Sequence, residues 1–142
     1  MSYAPYKPGK ALWYALLLWL IGFIWGMIVF MTPALKDIPA SPYISKYPAI
    51  SAPLTVAYFI ILFLLTKRYL EDTDKKAAEG LEFGLTIFLL NFILDALVYV
   101  VLFRSSDYFA YFSIWLSYIL AIAVPWFTGR WLESKKLNAK IM

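Results

Sequence analysis

Neither cysteine nor histidine occurs among the 142 residues of this chain. Without cysteine there is no disulfide and no thiolate nucleophile. Without histidine there is no Ser-His-Asp triad and no haem ligation of the usual kind, and without both there is no zinc site of the common nitrogen and sulfur type. Charge is scarce as well: Asp, Glu, Lys and Arg make up only 15% of the residues, too few for an ordinary soluble domain. Phosphate-cradling glycine loops, paired acids and clusters of metal-ligating side chains are missing. Intramembrane aspartyl proteolysis would need two aspartates inside apolar runs, and there is one. Most enzyme chemistry is thereby excluded. No cofactor, no metal and no nucleic-acid partner is expected.

What the chain has instead is apolar length. Hydrophobic residues reach 63% of the total and fall in four runs, about 11–31, 50–66, 83–103 and 108–129. A helix rises ~1.5 Å per residue, so about 20 residues cross a hydrocarbon layer ~30 Å thick, with a lower limit near 17. The second run meets only that lower limit. The expected fold class is therefore all-α: a polytopic integral membrane protein, a bundle of four transmembrane helices forming one membrane domain over residues 1–142. The first run has a basic start, but its apolar core exceeds the ~7–15 residues of a cleaved signal and no small-residue cleavage pattern follows. It reads as a retained span.

Basic residues report orientation. Ten of the 13 Lys and Arg flank one side of the runs: Lys7, Lys10, Lys67, Arg68, Lys75, Lys76, Arg130, Lys135, Lys136 and Lys140. Lys36, Lys46 and Arg104 lie on the other. The positive-inside rule then places both termini and the middle loop in the cytoplasm of a multi-pass cell-membrane protein. The segment 32–49, with Pro33, Pro39, Pro42 and Pro48, is expected as an extended external loop. Ser51 and Pro53 are expected to open the second helix. The loop 67–82 reads as a solvated linker, with Asp74 to Ala78 opening the third helix. The turn Arg104 to Asp107 is so short that the third and fourth helices must form an antiparallel hairpin.

Polar residues inside the runs define the candidate site. Gly80, Gly84, Asn91 and Asp95 are spaced by four, seven and four, which places them on one helical face. Ala110, Ser113, Ser117, Ala121 and Thr128 form a stripe of small and hydroxylated side chains on the fourth helix, expected to meet that face. Phe112, Trp115, Ile119, Ile122 and Trp126 are expected to face lipid. From the external ends Asp95 and Ser117 lie about 12–14 Å deep at ~1.5 Å per residue, level with Tyr58 and Gly22. Pro125 frees the carbonyl of Ala121, and the Asn91 amide is expected to reach it. Asp95 has no Lys or Arg inside any run to pair with, so it is expected to be neutral and to donate a hydrogen bond. Gly22 with Gly26 and Gly80 with Gly84 are read as internal helix contacts, with dimerisation as the alternative. Tyr14, Tyr69, Tyr108, Trp13, Trp126 and Trp131 are expected as interfacial belt residues, and Trp19, Trp25 and Trp115 as lipid-facing or core side chains.

Asp95, Asn91, Ser117, Tyr58 and Ser113 are thus the candidate ligand or ion-binding residues. The leading expectation is a non-enzymatic structural, accessory or sensory subunit with a buried polar cluster. The alternative is an oligomeric small-solute or proton-coupled transporter using Asp95, and the third a lipid-modifying enzyme. Expected partners are the bilayer and either further copies of the chain or another membrane protein.

Overall fold

The computed structural model describes residues 7–31, 48–104, 108–110 and 112–141. The proline-rich loop, the N-terminal residues before Lys7 and most of the turn after Arg104 lie outside the described residues. Within them the chain is all-helical, with no strand. Helix α1 spans Pro8–Met31, α2 Pro48–Tyr69, α3 Lys76–Asp95 and α4 Phe112–Ile141. A π-helical segment, Ala96–Leu102, continues α3 directly, and a single 3₁₀ turn, Tyr108–Ala110, precedes α4. Among the described residues one continuous stretch, Lys76–Leu102, is long and apolar enough to cross a membrane by length and composition. Pro8–Ile24 is a shorter apolar helix.

Two boundaries differ from the sequence reading. Helix α2 opens at Pro48 instead of Ser51, because a proline fits a first helical position where no N–H is needed. Pro53 therefore lies inside the helix. Helix α4 runs twelve residues past Gly129 into the basic C-terminal segment, which is helical and exposed.

Helix α1 packs on α2 and α3, and α4 on α3 and α2, which closes a four-membered ring around one interior. The α3–α4 contact is the most extensive. It is antiparallel: Gly129 lies against Lys76 and Ala77, Gly80 against Pro125 and Trp126, and Gly84 against Ala121 and Ile122. As numbers rise along α3 they fall along α4. The interior then divides in two. At the glycine end Phe83 is sandwiched between Tyr69, stacked at 4.4 Å, and the edge of Tyr14 at 6.3 Å, with Ala11, Ala15, Leu18, Leu62 and Ile87 around them. Tyr69 is buried in this core and is no belt residue. At the other end aromatic rings fill the space between α3 and α4: Phe88, Phe92, Tyr99, Phe109 and Tyr118.

The outer surface is apolar. Leu81, Leu85, Leu89, Ile93, Leu97 and Val101 run up the outside of α3 and its π extension, all exposed. Leu12, Leu16, Leu20 and Ile24 do so on α1, and Val56, Ile60 and Leu64 on α2. The interior holds Thr66, Thr128, Asn91 and Asp95. Each threonine donates to the carbonyl four residues back, Leu62 or Val124, at 2.7 Å, so their hydroxyls are satisfied within the helix.

The α2–α3 connection is held at the surface. Lys76 Nζ donates to the carbonyls of Leu70 and Glu71, closing the end of α2. Lys7 pairs with Asp72 at 3.4 Å and Lys136 with Asp74 at 2.5 Å, both largely exposed. Exposed pairs contribute roughly 0–1 kcal/mol. Lys136→Ala should accordingly move the unfolding temperature by no more than about 4 °C, as thermal unfolding in detergent would measure.

Candidate functional site

The carboxyl group of Asp95 is the centre of the polar interior. It is 7% exposed and sits at the last residue of α3, where the α-helix passes into the π segment. Three donors converge on it. Trp19 Nε1–H of α1 donates to Oδ1 at 2.9 Å. The hydroxyl of Tyr108, from the 3₁₀ turn, donates to Oδ2 at 3.0 Å, and that of Tyr118, from α4, donates to the same oxygen at 2.5 Å. An indole N–H can only donate, so Oδ1 is an acceptor, whereas a phenol can donate or accept, and the contacts at Oδ2 fit the charged and the neutral acid alike. The acid ties three separate elements to α3.

Each donor has its own support. The Trp19 ring stacks on Phe23 at 5.0 Å, one turn further along α1. Tyr108 lies flat on Tyr99 at 4.3 Å and 4°, and Tyr99 belongs to the π segment. In that segment the Phe103 N–H reaches back five residues to the Val98 carbonyl at 2.9 Å. A wider turn changes the direction of Tyr99 relative to an α-helix, and such turns recur beside functional residues. Tyr118 meets Phe88, Phe92 and Trp115 edge-on.

Beside the carboxylate lies a cavity of about 30 Å³, lined among others by Asp95, Asn91, Tyr58, Ser117 and Gly22. Four of the five candidate residues thus meet at one place. Ser113's side chain lies outside the described residues. Ser117 is half-buried and spends its proton on the Ile114 carbonyl at 2.7 Å, which leaves its oxygen free to accept. Asn91 is 8% exposed, and its side chain is hydrogen-bonded to the Tyr58 hydroxyl. Its Oδ1 is buried with no hydrogen-bond partner among the described residues, so the bond to Tyr58 is donated by the amide nitrogen. The expected bond from Asn91 to the Ala121 carbonyl is absent among these contacts. That carbonyl faces Gly84 instead, 3.1 Å from where a Cβ would stand.

The chain has no detected kin. No family model matches it, and neither a curated protein nor a solved structure does.

The buried face of α4 is rotated from the predicted stripe. Ile114, Tyr118, Ala121, Pro125, Thr128 and Gly129 face inward, while Ala110 is exposed. Ala121 and Thr128 belong to both sets, but Ser117 yields the central position to Tyr118. Trp115 and Ile119 are exposed as expected, whereas Ile122 and Trp126 are half-buried, their backbones against Gly84 and Gly80. Sequence reasoning favoured small side chains because they permit close approach. It missed Trp19, Tyr108 and Tyr118, whose polar tips serve a buried acid. The available signal was chemical: a buried acid needs hydrogen-bond partners, and Tyr and Trp outnumber Ser, Thr and Asn in these runs.

Proposed function

We propose that the chain is a small four-span integral membrane protein with both termini in the cytoplasm, acting as a non-enzymatic structural, accessory or sensory subunit built around Asp95. The observation that carries this reading is the distribution of side chains: large apolar groups outward on α1, α2 and α3, and two acids (Asp95 and Glu79), an amide and hydroxyls inward. A water-soluble monomer seldom exposes contiguous apolar surface of that extent, whereas lipid favours it. Inside lipid a polar residue must find its partners within the bundle, and Asp95 has three. Chemistry on a substrate has no support, since no second acid, histidine or cysteine adjoins Asp95 in the cavity lining.

The test is extraction and accessibility. The full chain should remain in the membrane pellet after alkaline carbonate treatment. Tags at the N-terminus, at the C-terminus and in the loop after Thr66 should be reachable only from the cytoplasmic side. Release by carbonate would overturn the membrane reading, and an external middle loop would overturn the orientation.

A second reading, a cation-linked carrier that would work as an oligomer, is favoured by one specific observation: the buried, unpartnered Oδ1 of Asn91, a residue that lines the same cavity as Asp95.

A further inference from the structure

The cavity beside Asp95 is rich in acceptors. A carboxylate offers about four lone-pair positions, and Trp19, Tyr108 and Tyr118 occupy three of them. The Asn91 Oδ1 accepts from no described residue. Ser117 Oγ has given its proton to Ile114, so toward the cavity it too can only accept. Among the described residues no Lys or Arg lines the space. One carboxyl group, one amide oxygen and one hydroxyl oxygen therefore belong to residues lining one small cavity.

We infer that this enclosure is a binding site for a single dehydrated monovalent cation, held by Asp95, Asn91 Oδ1 and Ser117 Oγ. Size and charge both select that class. A space of about 30 Å³ suits occupants the size of one or a few water molecules, which disfavours bulky organic ammonium ions. Hard oxygen donors suit alkali cations and ammonium, and a lone carboxylate neutralises one charge, not two. Among the described residues no group of three or more acidic side chains forms a divalent site. The three donors do not compete with the cation; they hold the carboxylate in place and leave about one of its four lone-pair positions over. The inference rests on reading Asp95 as the functional centre and adds to that reading a ligand.

Thermal unfolding of the full chain in detergent tests it, with choline chloride replaced stepwise by lithium, sodium, potassium or ammonium chloride at constant ionic strength. At least one of the small cations should raise the unfolding temperature saturably, since a ligand that binds only the folded state stabilises it. Asp95→Asn should remove that response. Asn91→Ala keeps the carboxyl group and its three donors, so it should still fold, at a lower unfolding temperature in choline because the bond to Tyr58 is lost, while its apparent cation affinity falls about tenfold or more. That variant decides the matter even where Asp95→Asn fails to fold. Identical unfolding of the wild-type chain in all five salts would overturn the inference and leave water as the cavity's occupant. An unchanged response in Asn91→Ala would also overturn it. A flat salt series together with a destabilised Asp95→Leu would discard the cation yet retain Asp95 as a structural centre. A saturable response in a chain that carbonate extracts would keep the cation and discard the membrane reading.

Discussion

Asp95→Leu is expected to be the most damaging single substitution in this chain. It removes the one acceptor shared by Trp19 Nε1–H and the hydroxyls of Tyr108 and Tyr118, from three different elements. A buried donor left without a partner costs roughly 1–3 kcal/mol, so three together give a loss on the order of 3–5 kcal/mol after some rearrangement. Thermal unfolding in detergent should drop by about 10 °C or more on the scale of 2–4 °C per kcal/mol for chains near this size. Asp95→Asn should cost far less. Trp19 can only donate, so it orients the new amide with its oxygen toward the indole. The NH₂ then faces the two tyrosine hydroxyls, whose oxygens can turn to accept. Tyr108→Phe and Tyr118→Phe each remove one of three donors and should fall between these extremes. A Leu variant as stable as the wild type would show that the carboxyl group holds nothing together.

Bulk at Gly84 is the second large effect. An ideal Cβ there would stand 2.9 Å from both the Cα and the carbonyl oxygen of Ile122. Those are backbone atoms of a helix and cannot turn aside, so α3 and α4 must separate. Gly84→Ala is expected to cost about 1–3 kcal/mol as an overpacking change, and Gly84→Leu more. Gly80 meets the Pro125 carbonyl in the same way and should behave alike. Ile119→Phe, on the exposed side of α4, is the matched control and should be neutral. Trp115 is a poorer control: its Nε1–H donates to the Phe109 carbonyl at 2.8 Å and its ring packs on Tyr118. Equal losses at Gly84 and Ile119 would remove the case for a close glycine contact.

These two sites differ in how far they could be read from the amino-acid order. Gly80 and Gly84 were legible, because their four-residue spacing lies on the same face of α3 as Asn91 and Asp95. Small residues in an apolar helix serve close approach whatever the rest of the fold does. The all-helical composition was legible for a similar reason, since runs of this length and apolarity favour one backbone conformation.

Helix rotation was not. Helices apolar nearly all round carry no pattern that says which side turns in, so α4 was set by its small residues and came out one position away from the face that is buried. Tyr108 shows the same limit: at the end of an apolar run a tyrosine suits an interface, yet here it is 2% exposed and bonded to Asp95. Its place depends on the π segment turning Tyr99 beneath it, and on a neighbouring helix bringing Trp19 to the opposite oxygen. By itself, the order of residues determined that Asp95, deep in the third apolar run, would lie buried with Asn91 a turn before it; the burial of Glu79 in the first turn of α3 was not legible. Only the tertiary structure decided that its partners are an indole and two phenols, because those bonds join residues 76, 13 and 23 positions apart, and no local periodicity spans such distances.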